Sequence, residues 1–275
     1  MTDWGALPLF AAETAWLWAG LTGYTASAAV AWHSLYTRRS RDPLILSLLS
    51  AGIALLAVAI AARWLRLGYG PFLTMFEILL SNLFSLGLIL GLVYWRLPLA
   101  RPALPGASVV LLLLGVWVLY VPSGASHLPA TYENYWLWVH VAVGKVFLGM
   151  CLVASGLAGV LLLRRIGALA GLPDSRVLDA LAWRFVAVAF VFESLMLIAG
   201  AVWAQDAWGR YWDWDPLETW SFVTWLVLAI VLHARLTYNL PLWLGWSTIL
   251  VVFALAFLTF FGVPFVSVSP HKGAV

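Results

Sequence analysis

Between residues 203 and 220 the chain reads Trp203-Ala-Gln-Asp-Ala-Trp208-Gly-Arg-Tyr-Trp212-Asp-Trp214-Asp215-Pro-Leu-Glu218-Thr-Trp220, and six of the eighteen tryptophans fall between 203 and 225. Tryptophan offers a wide apolar face with an N–H at one edge. Alternated with Asp and Gly, it makes a flat amphipathic platform whose indole N–H groups and carboxylates suit a large planar ligand with acidic edges, for which heme is the obvious candidate. An aromatic belt at lipid headgroup depth accounts equally well for any single tryptophan here, but not for the interleaved acids. The platform candidates are Trp208, Trp212, Trp214, Asp215, Glu218 and Trp220.

Metal ligation falls to the five histidines. Two neutral imidazoles on opposite faces of an iron give a six-coordinate, non-covalently held heme. His140 begins the fifth apolar run and His271 follows the eighth, so both can flank the platform, although each alone reads as an ordinary interfacial histidine. His33 and His233 lie at matching depth toward the other ends of runs one and seven, which allows a second heme between them. Beside Arg38 and Arg39, His33 also suits a solvated headgroup position, and His127 reads as a solvated loop residue.

Four charges, Glu77, Lys145, Arg184 and Glu193, fall inside apolar runs, where an unpaired charge is costly. Depth permits a Glu77–Lys145 ion pair. Arg63 and Arg66 suit either heme propionates or lipid phosphates. Asp213, Asp215 and Glu218 do not read as hydrolytic carboxylates. They open the seventh run, where acids favour the helix dipole, and the sequence shows no activated nucleophile, metalloprotease helix or phosphate loop.

The elements that must position these groups are membrane helices. Of 275 residues, 64% are apolar or aromatic and 10% charged, against roughly 25% charged in a soluble domain. Spanning-length runs at about 14–36, 43–65, 71–95, 104–122, 136–163, 180–205, 217–237 and 243–263 predict an all-α polytopic bundle of about eight transmembrane helices. They are apolar at nearly every position, which excludes the alternation of a barrel strand. Residues 1–275 read as a single integral membrane domain with an outer tryptophan-rich loop at 203–220. Nine basic residues on one set of loops against four on the other place both termini on the outer side, together with that loop. The net charge of +3 is too sparse and scattered for nucleic acid. The lone Cys151 excludes intrachain disulfides and heme attachment through two cysteines.

The segment WGRYWDWDPLETWSFVTWLVLAIVLHARL resembles the tryptophan-rich (WWD domain) signature of cytochrome c assembly proteins of the CcsA/ResC type. Looser likeness extends through GYGPFLTMFEILL (68–80), NYWLWVHV (134–141) and FFGVPFVSVSPHKG (260–273). The resemblance implies an outward platform flanked by His140 and His271, a further ligand at His233, and a functional place for Glu77. It implies transient heme b, a second membrane subunit of the CcsB/ResB type with a large external domain, and apocytochrome c as recipient. The chain would then be a subunit of a cytochrome c heme lyase (holocytochrome c synthase) in a bacterial inner (plasma) or thylakoid-like membrane, moving heme outward from His233 to the platform. Catalysis would consist of positioning and redox control. The alternatives are a b-type cytochrome exchanging electrons with quinone, a related heme exporter or regulator, and a small-molecule transporter without heme.

Overall fold

In a computed structural model of the chain, residues 13–70, 73–126, 133–169 and 172–263 are described. Eight long helices run through them: α1 (Thr14–Thr37), α2 (Asp42–Leu67), α3 (Met75–Arg96), α4 (Ala103–Tyr120), α5 (Tyr135–Arg165), α6 (Ser175–Trp208), α7 (Pro216–Thr237) and α8 (Leu242–Phe257). A short 3-10 turn (Pro98–Ala100) precedes α4, and a π-helical turn (Leu258–Gly262) extends α8. No strand occurs among the described residues. The seven helices from α2 onward are long and apolar enough to cross a membrane. The 24-residue α1 is long enough, but its Thr and Ser residues and His33 dilute its apolar character. Several of those hydroxyls bond back into the helix, as Thr22 and Thr25 do to the carbonyls of Trp18 and Leu21, so that they are not left unsatisfied.

The chain divides into two compact units. The first contains α1 to α4, with α1 against α2 and α4, and α3 against α2 and α4. Helices in lipid gain little from the hydrophobic effect and associate through close packing and hydrogen bonds. Tyr24 illustrates both, since its hydroxyl donates to the Leu83 carbonyl at 3.0 Å across Gly87, where an added Cβ would lie 1.8 Å from the Tyr24 hydroxyl oxygen.

One end of this unit is fastened by Arg63, which is 1% exposed. Its Nε and Nη2 donate to Glu77 Oε1 at 3.0 and 2.8 Å, and its Nη1 donates to Glu13 Oε1 at 2.7 Å. The Ser123 and Gly124 carbonyls accept the remaining N–H groups, each at 3.0 Å, and the Phe76 ring lies beneath the guanidinium. All five donors are thereby used. Glu77 also accepts from the Leu73 and Thr74 N–H groups and closes a capping box at the start of α3. Depth allows Glu77 an ion pair, and within this unit Glu77 is taken up by Arg63, whose planar fork matches a carboxylate. Neither propionates nor lipid phosphates need be invoked for Arg63. Arg66 holds Glu13 from the exposed side at 2.7 Å.

The second unit contains α5 to α8. A long seam joins α5 and α6, α8 lies against α5, and α7 bridges α6 and α8. The α5 side of the core is rich in small residues, among them Gly144, Cys151, Ala154, Gly156 and Ala158. By contrast α7 buries only Thr224 and Leu228. The far end is closed by Asp179, which accepts from Arg235 and from Trp246 Nε1.

Candidate functional site

The site assembles where the start of α5 meets the end of α6. Asn134 caps α5 by accepting from the Trp136 N–H at 2.7 Å, and its amide donates to Asp206 at 3.0 Å. This bond ties the two helix ends together. Further along α5, His140 is half-buried, and its Nδ1 lies 2.9 Å from the Met196 carbonyl on α6. A carbonyl can only accept, so Nδ1 carries the proton and, in the neutral ring, Nε2 carries the lone pair. That is the arrangement by which proteins orient a metal-ligating imidazole. Gly200 makes it possible, because a Cβ there would fall 2.7 Å from Nδ1. On the same helix, Trp203 stacks on the imidazole with centroids 6.0 Å apart, and Trp208 meets Trp203 edge-on at 5.0 Å.

Trp203 and Trp208 thus belong to α6, and only residues 209–215 lie outside helices. Gly209 ends α6 with φ +75°, and Arg210 pairs with Asp213 at 2.6 Å. Trp214 adopts φ +57°, a left-handed conformation that costs a non-glycine residue about 1–2 kcal/mol. The following residues hold it there. Asp215 accepts from the Glu218 N–H at 2.9 Å, and Glu218 gathers the Asp213 N–H at 2.7 Å and the Asp215 N–H at 3.4 Å. Asp215 and Glu218, platform candidates by sequence, therefore form a capping box that starts α7 and fixes the loop.

Trp214 at the strained turn is 67% exposed, and Trp220 in the first turns of α7 is 44% exposed. Trp212 lies behind Trp214, edge-on at 5.6 Å, and its enclosed indole N–H has no hydrogen-bond partner. Enclosed donors are almost always satisfied, so an orphan at this position fits an absent acceptor such as a ligand carboxylate. Phe222 contacts both tryptophans and stacks on Trp225 at 5.9 Å and 11°. Trp225 in turn stacks on Phe190 at 5.5 Å and donates to Ser194 at 2.8 Å. An aromatic ladder therefore runs from the loop down the α6–α7 seam.

Two other ligand candidates do not belong to this cluster. His233 is exposed near the end of α7, with Nε2 3.4 Å from the Thr237 hydroxyl. His33 is exposed on α1 in the first unit. His271 and His127 lie outside the described residues. Among the described residues no three His, Cys, Asp or Glu side chains converge on a bare metal ion. An oriented imidazole with a stacked indole, as at His140, is a donor set that fits an iron porphyrin instead. Met196 and Gly200 were not legible in the sequence, since a main-chain carbonyl and a missing Cβ leave no motif.

The model of the family described as "Cytochrome C assembly protein" matches residues 16–271, and the chain belongs to that family. It is similar to the cytochrome c biogenesis protein CcsA of Prochlorococcus marinus strain MIT 9312, with 30% identity over 253 residues, covering 79% of this chain and 80% of that one. The corresponding CcsA of a second strain of Prochlorococcus marinus, SARG, is 28% identical over 271 residues, covering 85% and 84%. A CcsA from Chlamydomonas reinhardtii is 42% identical over 118 residues, 41% of this chain and only 33% of that protein. Among solved structures, a cytochrome c heme lyase, CcmF, superposes with a TM-score of 0.73 at 16% identity, covering 95% of this chain and 48% of that one. At that identity the likeness is one of fold.

Proposed function

We propose that this integral membrane protein of cytochrome c biogenesis receives heme b, holds it at the His140–tryptophan site and presents it for covalent attachment to apocytochrome c. One observation carries the reading: His140 is set by the Met196 carbonyl so that Nε2 is the basic nitrogen, within a stacked tryptophan shell. His140 and His271 would hold the iron, and Trp212 would meet an acidic edge. Trp214 and Trp220 would form the outward surface. The bound porphyrin supplies the vinyl groups and the iron whose reduction thioether formation needs. The chain's own part is to orient the group, exclude water from one face and keep the ligands exchangeable.

In this reading the platform and both termini face the outer side of a bacterial inner or thylakoid-like membrane, and a CcsB/ResB-type subunit completes a heme lyase. His233, exposed on a helix that buries few side chains, supports a second, transient heme site completed by another chain, from which heme passes outward. The test is purification with and without a co-expressed partner, followed by oxidised and reduced spectra of the parent and of His140→Ala, His271→Ala and His233→Ala. Substoichiometric b-type heme, altered by both His140→Ala and His271→Ala, is expected. A chain that stays heme-free with heme and partner supplied overturns the reading. Stable stoichiometric heme indifferent to both substitutions favours the electron-carrying b-type cytochrome.

A further inference from the structure

The interior of the second unit holds a carboxyl group that the site does not use. Glu193 on α6 is 1% exposed, and neither of its oxygens has a hydrogen-bond partner. It is the only carboxylate in that condition among the described residues. The other buried acids are engaged: Glu13 and Glu77 by Arg63, Asp179 by Arg235, and Asp215 by the capping box at α7. A carboxylate enclosed in this way would lose its hydration with no donor to replace it, so the neutral acid is the form that the surroundings admit.

Its position relates it to the site. Glu193 lies three residues before Met196, about 4.5 Å of helix rise from the carbonyl that orients His140. On α5, packed against α6, the titratable groups are Tyr135, His140, Lys145, Cys151, Arg164 and Arg165. The α7 stretch between Glu218 and His233 carries no titratable side chain, and α8 with its π turn carries none. Along α6 the nearest charged residues are Arg184 and Asp206. Beside these groups, the charge arriving at His140 is the variable influence.

We propose that Glu193 is a proton-binding site coupled to the charge held at His140. It keeps its proton while that site is neutral. It releases the proton to solvent when a ferric porphyrin, whose iron centre carries one net positive charge, is held there. No electron transfer is involved, and one positive charge bound is balanced by one proton lost. The release would relieve the cost of holding a cationic centre beside a low-dielectric interior, and proton return would favour letting the group go.

This inference rests on the heme reading above, and its test separates the two. The full chain is purified heme-free in detergent, as parent and as Glu193→Gln, and a parent sample is labelled with ¹³C-glutamate. Infrared spectra of the heme-free parent are expected to show a protonated carboxylic acid carbonyl band that shifts with the label and is missing from the variant. Added hemin is expected to bleach the band and release about one proton per hemin bound, read by an indicator dye in weak buffer. Glu193→Gln is expected to bind hemin without proton release. Absence of the band from the heme-free parent overturns the proposal, as does hemin that binds, by its visible spectrum, with band and proton count unchanged. Hemin whose spectrum stays that of the free porphyrin overturns the site reading, and the coupling with it.

Discussion

At the scale of single residues, the geometry of His140 depends on what Gly200 lacks. In Gly200→Ala the new methyl would force the imidazole off the Met196 carbonyl, forfeiting one hydrogen bond of about 1 kcal/mol and the ring's orientation. Roughly five- to tenfold weaker hemin binding is expected by spectral titration. Gly159→Ala on α5 is the control, since its Cβ would meet nothing within 4 Å, and unchanged binding is expected. Equal loss in both variants would show that the effect is general to glycine replacement. Trp212→Phe keeps the aromatic contact but deletes the orphan N–H. It should weaken hemin with intact propionates more than the dimethyl ester, and equal weakening of both would remove the assigned acceptor.

At the scale of elements, the loop before α7 is held by its cap. Asp215→Ala removes the acceptor for the Glu218 N–H and should cost about 1 kcal/mol, whereas Asp215→Asn keeps most of it. Hydrogen exchange at the 213–219 amides should accelerate roughly fivefold in the alanine variant and little in the asparagine variant. The strained φ of Trp214 depends on that cap, so the alanine variant should also relax the turn and lower Trp214 fluorescence anisotropy. Unchanged exchange would mean that the aromatic contacts alone fix the loop.

At the scale of the whole molecule, the buried ion cluster fastens the first unit. Arg63→Met strands two carboxylates, Glu13 and Glu77, and should destabilise the unit by about 3–5 kcal/mol in a denaturant titration in detergent. The triple variant that also replaces Glu13 and Glu77 with Gln should recover much of that loss. Burial pushes the Glu13 carboxyl up, but hydrogen bonds from Arg66 and Arg63 outweigh this and hold it below its ordinary value. A carboxyl lowered in the folded state contributes stability in full above its unfolded value, and loses it as pH falls through the folded one. Thermal stability should therefore fall on acidification below the usual carboxylate range, and Glu13→Gln should flatten that fall. A variant that tracks the parent through that range would place the acid sensitivity elsewhere.

The sequence by itself determined the class of the molecule. Uninterrupted apolar runs admit only helices in lipid, because every backbone group must be satisfied within its own segment, and the boundaries follow from Pro, Gly and Arg punctuation. The tryptophan loop and His140 were legible because their side chains are rare and clustered. Only the tertiary structure decided how they are used. Asp215 and Glu218 read in the sequence both as platform groups and as acids suited to a helix start, and the structure shows the carboxylates meeting the unpaired N–H groups at the start of α7. Glu77 meets Arg63, and Met196 and Gly200 join the site without any motif. Depth along a helix is a one-dimensional quantity that spacing reveals. Which faces meet is set by packing between helices distant in sequence, and no local pattern encodes it.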